Sequence, residues 1–332
     1  APVAGGGRLE VASFNVLNFF NGDGLGGGFP TARGANTLSE YIRQRDKLVV
    51  ALAGLDADII GLMEIENDGG PTSAIVQLTD ALNVYLGTPG QYAFVDTGVI
   101  GTDAIRVAIL YRPAVVTPDG AFAVDLDPIN NRPTVMQTFI EAASGKDLTV
   151  VVNHFKSKGS CPGSGLDADQ GDGQSCWNAT RVLQAQRILT WLPTVTDDTD
   201  VLIIGDLNSY ANEDPIDALI AAGYTNLISA YHGTSAYGYV FGAQTGYLDH
   251  ALASSSLVGQ VTGADDWHIN ADESTLRDYN DYANQAIYYS VDEFRTSDHD
   301  PVIVGITLVG GDGVVNSTPT VPAGQSVTVT VL

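Results

Sequence analysis

Val201-Leu202-Ile203-Ile204-Gly205-Asp206-Leu207-Asn208 sets an apolar β-forming run directly before a glycine, an acid and an amide. The run has the length and character of a short strand buried on both faces. A carboxylate at the end of such a strand is costly to bury alone, so Asp206 and Asn208 belong to a tight turn or to a polar pocket. The same layout recurs on both sides. Upstream, Leu9–Phe19 contains Phe14-Asn15-Val16, Asp58–Ile65 runs into Met63-Glu64-Ile65-Glu66, and Leu148–His154 runs into Asn153-His154-Phe155. Downstream, Leu248–Ala253 contains Asp249-His250, and Ser297-Asp298-His299-Asp300-Pro301 precedes Val302–Leu308. Each element alone reads equally as a turn, a helix cap or a structural histidine. As an ordered set they are best explained by strand ends converging on one pocket that holds a hard cation. Carboxylate and amide oxygens are the ligands that magnesium, manganese or calcium prefer.

The remaining elements follow from periodicity. Thr37–Leu55 has helical spacing, with Tyr41, Leu48, Ala51, Leu52 and Leu55 on one side, and Ser73–Leu86 is a second helix. Tyr92–Asp96 and Ile105–Tyr111 read as strands, and Val135–Ala142 pairs with Leu148–His154 as a hairpin across Ser144-Gly145. Helices are expected at Asn178–Leu192 and at Pro215–Ala222, the latter with proline at its start where the missing N–H is harmless. Strands and helices in this mixed order suggest two sheets packed face to face with helices outside. Residues 1–309 read as one catalytic domain, and residues 310–332 as a linker or the start of a C-terminal β-module, opened by Gly310-Gly311-Asp312-Gly313.

The 332 residues are 44% hydrophobic, enough for a sizeable core. No apolar run is long enough to span a membrane. The start, Ala1-Pro2-Val3-Ala4, reads as a mature or trimmed terminus. Cys161 and Cys176 bracket a polar, glycine-rich loop and are expected to staple it as a disulfide in a secreted protein. Within that loop Asp167-Ala168-Asp169-Gln170-Gly171-Asp172-Gly173 loosely resembles a Ca2+-binding loop, without its terminal glutamate. The net charge of −24 argues against broad attraction to nucleic acid, and it suits a protein adapted to salty surroundings where repulsion is screened.

In order and spacing, Phe14-Asn15-Val16, Met63-Glu64, Asn153-His154-Phe155, Gly205-Asp206-Leu207-Asn208, Leu248-Asp249-His250 and Ser297-Asp298-His299-Asp300-Pro301 resemble the endonuclease/exonuclease/phosphatase superfamily. Trp267-His268-Ile269-Asn270-Ala271-Asp272 and Asn178-Ala179-Thr180-Arg181 look like the catalytic domain of bacterial extracellular nucleases. The resemblance implies an α/β (α+β) fold, a four-layer αββα sandwich of two packed mixed sheets flanked by helices. It implies that Asn15, Glu64 and Asp298 hold Mg2+ or Mn2+. It further implies that Asp206 and Asn208 orient the attacking water and the phosphate. His299 corresponds to the catalytic histidine and Asp249 to its carboxylate partner. His154 corresponds to the second histidine, which steadies the phosphate or protonates the leaving oxygen. Whether Asp206 or His299 is the base, and whether one metal or two act, is left open by the sequence.

Arg106, Lys156 and Arg181 are candidates for contacts to the substrate phosphate, since a guanidinium matches that geometry and lysine supplies a point charge. The expected function is a secreted, extracellular or cell-surface DNase, monomeric, with RNA as a further substrate. The alternative is a sphingomyelinase-like or other phosphoesterase of the same fold. An inactive binding module is disfavoured by the complete polar set, and no Walker loop or Gly-x-Ser-x-Gly elbow is present.

Overall fold

The computed structural model describes residues 6–281 and 287–309. The chain begins with β1 (Leu9–Phe19), α1 (Leu38–Leu55), β2 (Ile59–Glu66), α2 (Ala74–Leu86), β3 (Ala93–Phe94) and β4 (Ile105–Tyr111). It continues through β5 (Val116–Asp125), β6 (Thr134–Glu141), β7 (Asp147–His154), α3 (Asn178–Trp191), β8 (Val201–Asp206) and α4 (Asp214–Ala221). The last part holds β9 (Thr225–Asn226), α5 (Leu227–His232), β10 (Tyr239–Phe241), β11 (Gln244–Gly246), β12 (Asp249–Ala253), β13 (Val261–Asp266) and β14 (Val302–Ile306). One six-stranded sheet has the order β13-β14-β1-β2-β4-β3, the other β5-β6-β7-β8-β12-β9, and β10 and β11 form a separate hairpin.

Alternation along the strands builds the layers. In β7, Val150 and Val152 enter the core between the sheets, while Val151 joins a second core under α3 and α4 with Ile188 and Leu219. In β1, Leu9 and Val11 point between the sheets, and Ala12 and Phe14 pack under α1 and α2 with Leu48, Leu52 and Leu78. The result is a four-layer αββα sandwich of two mixed sheets, as the resemblance implies. Where the sheets approach, β2 carries Gly61. A Cβ there would lie 2.7 Å from Ile204 Cδ1 and 2.9 Å from Val152 Cγ2, so only glycine permits this spacing.

The helices end as their sequences require. Thr37 caps α1 by accepting from Glu40 N at 3.2 Å, and Gly87 closes α2 in the left-handed region at φ 69°. The structure extends the sequence reading at the sheet edges. β5, β9, β13 and the β10–β11 hairpin were not expected. β5 is half exposed and contains Pro118 and Gly120, so it lacks the apolar run that marks a covered strand. The strand expected at Tyr92–Asp96 shrinks to Ala93–Phe94. Cys161 and Cys176 form the expected disulfide, with Cα atoms 5.4 Å apart. Residues 310–332, read as a linker or β-module, lie outside the described residues. Among the described residues no helix is long and apolar enough to cross a membrane.

Candidate active site

Strand register gathers the acids and histidines of one sheet. In the parallel pair β7–β8 His154 lies opposite Asp206, and in the antiparallel pair β8–β12 Asp249 lies opposite Asp206. All three continue the rows of Val152, Ile204 and Ala251 that face the other sheet. Three polar side chains therefore stand side by side at one end of the inter-sheet core. This alignment needs a close approach of β7 to β8. A Cβ on Gly205, at φ 135°, would fall 1.9 Å from the carbonyl oxygen of Asn153.

The other sheet supplies Asn15 and Glu64. Asn15 Nδ2 donates across the gap to Asp206 Oδ2 at 3.2 Å and also to Glu64 Oε1 at 3.3 Å. Glu64 Oε2 accepts from Asn18 N at 2.8 Å. The register of β2 shifts on both sides here, and Leu17, Asn18 and Glu64 all have positive φ, at 55°, 48° and 68°. Asn208, after β8, is likewise left-handed at φ 48° and donates through Nδ2 to Phe155 O at 3.2 Å. Non-glycine residues held in this region store strain, and such strain concentrates at functional sites.

The final loop delivers His299. Ser297 Oγ donates to the carbonyl of Asn15 at 2.6 Å, and Asn270 Nδ2 donates to the carbonyl of His299 at 2.7 Å. Asp300 Oδ1 accepts from the backbone N–H groups of Ile269, Asn270 and Ala271 at 2.7–3.0 Å. The Trp267–Asp272 stretch thus serves as the bracket for this loop. His299 Nδ1 pairs with Asp249 Oδ2 in a short hydrogen bond, which leaves Nε2 available, 4.0 Å from Asp298 Oδ1. Tyr239 bridges to His299 along the backbone and lays its ring 4.6 Å from the imidazole.

The electrostatics follow from these contacts. Burial opposes a charge on His299, but the carboxylates of Asp249, Asp298 and Asp206 outweigh it and raise its pKa well above the usual imidazole value. Burial also opposes ionisation of Asp206. The hydrogen bond from His154 and the charge of His299 prevail and hold it below the usual carboxylate range. His154 is lowered by burial and by the charge of Arg132, and its Nε2 lies 3.4 Å from Asp206 Oδ2. His154 Nδ1 and Asp249 Oδ1 are buried without a hydrogen-bond partner. Unpaired buried polar atoms on both sides of Asp206 mark an end of the sandwich built to receive a polar group.

The donors fit a hard divalent cation. Glu64, Asn15, Asp298 and Asp206 offer oxygen ligands, and both cysteines are engaged with each other. Asp206, Asp249 and His299 place one ligand atom each within 4.8 Å of one another, the one such group among the described residues. The loop acids expected to bind Ca2+ are not gathered. Asp167 accepts from Thr180 N and Thr180 Oγ1 at the start of α3, and Asp169 and Asp172 accept from N–H groups of their own loop.

The expected phosphate-binding cations are placed differently from one another. Lys156 is half-buried, with Nζ 4.5 Å from the Trp177 ring. Arg181 is fully buried. It donates to Ser209 Oγ and to the carbonyls of Cys176 and Gln174, so its hydrogen bonds clamp the stapled loop. Arg106 lies in the row of Ala108 and Leu110, which faces α1 and α2, and donates to Thr97 Oγ1 at 3.0 Å. Sequence reasoning missed Arg132, Asn270 and Tyr239. Arg132 donates to the carbonyls of His154 and Phe155 and lies close enough to Asp206 and Glu64 to feel their charge. Its only sequence signal is an arginine two residues before β6, the strand that pairs with the His154 strand β7.

Comparison with known proteins agrees with this geometry. The model of the Endonuclease/Exonuclease/phosphatase family matches residues 12–299. No curated protein matches the chain. A family protein from Leptotrichia buccalis superposes with TM-score 0.57 at 15% identity, covering 91% of this chain and 100% of that one. D. rerio TDP2 complexed with single-strand DNA product gives TM-score 0.51 at 15% identity, covering 89% and 97%. A mannosyl-6-phosphatase of Bacteroides thetaiotaomicron gives 0.51 at 15%, covering 91% and 100%. These likenesses carry the fold alone, across members with different substrates. Enzymes of this family are phosphoesterases that use divalent metals. With its sandwich, its strand-end acids and its paired histidine, the chain belongs to the endonuclease/exonuclease/phosphatase family.

Proposed function

We propose that the chain is a secreted, divalent-metal-dependent phosphodiesterase that cleaves nucleic acid, chiefly DNA and also RNA, outside the cell. The observation that carries this reading is the His299–Asp249 pair set beside Asp206, which Asn15 links across the sheets to Glu64, with Asp298 Oδ1 4.0 Å from His299 Nε2. A phosphodiester is anionic and repels a nucleophile. When bound, Mg2+ or Mn2+ supplies the charge that offsets this repulsion, and Glu64, Asn15 and Asp298 are the residues that would hold it.

The chain's own groups do the rest. Asp206, held by Asn15 and the N–H of Asn208, orients the attacking water together with the Asn208 amide. His299 exchanges a proton at Nε2, because Asp249 fixes its Nδ1. His154 steadies the phosphate from the opposite side. For a nucleic-acid substrate, Tyr239 and Phe241 offer flat faces to bases. Their rings are 6.5 Å apart and near parallel, and Phe241 is 69% exposed. The DNA-bound TDP2 neighbour lends support, as does the disulfide for an oxidising compartment.

The test sets DNA and RNA strands beside mannose 6-phosphate and a phosphocholine lipid, with Mg2+ or Mn2+ and with chelator. Metal-dependent release of short oligonucleotides is expected. Turnover of a phosphomonoester or release of phosphocholine, with nucleic acid left intact, would overturn the reading.

A further inference from the structure

A cleft of about 620 Å³ is lined by Arg33, Asp103, Asp127, Asn131, Gly101 and Pro133 among others. Arg132, between the lining residues Asn131 and Pro133 in the chain, connects it to the site. Arg132 donates through Nε to the carbonyl of His154 at 3.2 Å, and its Nη1 lies 3.6 Å from Asp103 Oδ2. Asp103 in turn pairs with Arg33 at 2.8 Å, and Arg33 is 44% exposed. Lys156, two residues after His154, lies within electrostatic reach of both Arg132 and Asp103. This chain has only 15 lysines and arginines against 39 acids. Arg33 and Arg132 therefore set two cations against Asp103 at this wall, and the other acid of the lining, Asp127, lies 3.7 Å from Arg187.

Asp103 is the informative member. Its carboxylate lies between Arg33 and Arg132, where an anion brought by a ligand would be recognised. A carboxylate so placed neutralises the cations at rest and competes with an incoming phosphate. The cleft is also much larger than one phosphate needs, which favours an extended ligand. We infer that this cleft binds the polynucleotide strand on one side of the scissile bond. A neighbouring phosphate takes Arg33 from Asp103 while Arg132 keeps its hold on the His154 and Phe155 carbonyls. The inference rests on the nuclease reading and deepens it, because the enzyme would then need substrates with more than one phosphate.

The test compares an octanucleotide with bis(p-nitrophenyl) phosphate, a single diester that cannot reach the cleft, under Mg2+ or Mn2+. Arg33→Ala is expected to raise KM for the octanucleotide about three- to tenfold and to flatten its log–log salt dependence by about 0.7. Asp103→Asn is expected to shift KM the opposite way, by freeing Arg33. The ratio of kcat/KM for the two substrates should fall in the first variant and rise in the second. Equal changes on both substrates, or shifts of the same sign in both variants, would overturn the cleft. Octanucleotide cleavage indifferent to both substitutions would also overturn it, with the nuclease reading intact. A wild type that turns over only the small diester would take down the nuclease reading and the cleft with it.

Discussion

His299 and His250 are both buried, and Asp206 acts electrostatically on both, yet their surroundings favour opposite charge states. His299 pairs with Asp249 and lies near Asp298, so its charged form is favoured. His250 follows Asp249 on β12 and faces the helix side. Its Nε2–H donates to Ser209 O at 2.7 Å, and its Nδ1 accepts from Asn226 Nδ2 at 3.3 Å. Both ring nitrogens are satisfied only in the neutral form, and burial pushes its pKa down to about 4. One residue's shift along a strand thus separates the proposed proton-transfer pair from a structural brace. The partners of a buried histidine, not its burial, decide what it does.

Substitutions on β12 sharpen the contrast most. Asp249→Asn should lower kcat/KM by roughly 10²–10⁴-fold while leaving the unfolding midpoint nearly unchanged. His250→Ala should do the reverse, costing about 2–4 kcal/mol of stability for a modest change in kcat per folded molecule. Urea titrations beside steady-state kinetics decide this. A His250 variant that folds normally but loses activity to the same degree would break the distinction.

The next effect is on pH. His250 is lowered from 6.5 to about 4 in the fold, so between these values the unfolded chain binds the extra proton. The stability contribution is complete above pH 6.5 and is lost as the pH falls toward 4, by about 3 kcal/mol in all. Urea midpoints at pH 7 and pH 4.5 measure the slope, and a His250→Gln variant should flatten it. An unchanged slope would mean that other groups set the acid limit.

The smallest effect contrasts the stapled loop with the sandwich. Reducing Cys161–Cys176, which closes a loop with a sequence separation of 15, should cost up to about 3 kcal/mol and leave the sheets intact. Thiol titration of the unfolded, unreduced chain should find no free cysteine, and differential calorimetry with and without reductant gives the cost.

Legibility in the sequence follows the same division. β1, β2, β4, β7 and β8 are covered on both faces and read as apolar runs, and the polar residues at their ends were visible as interruptions. β5 and β13 lie at sheet edges and are only partly buried, so no continuous apolar run marks them. Tyr239 sits on a three-residue strand, too short for any period, and reaches His299 only through the tertiary fold. Arg181 and Arg106 show the opposite failure. Their position near a motif suggested substrate contact, but side-chain direction, set by burial and register, turns them elsewhere.

The proposed role of His299, backed by Asp249, is proton exchange on a phosphodiester with a divalent metal present. Supercoiled plasmid incubated with Mg2+ or Mn2+, with and without chelator, beside a folded His299→Ala variant tests it most directly. Metal-dependent nicking is expected, abolished by chelator and reduced roughly a thousandfold in the variant. Cleavage by His299→Ala at the wild-type rate, or a folded and metal-supplied wild type that leaves the plasmid intact, would contradict it.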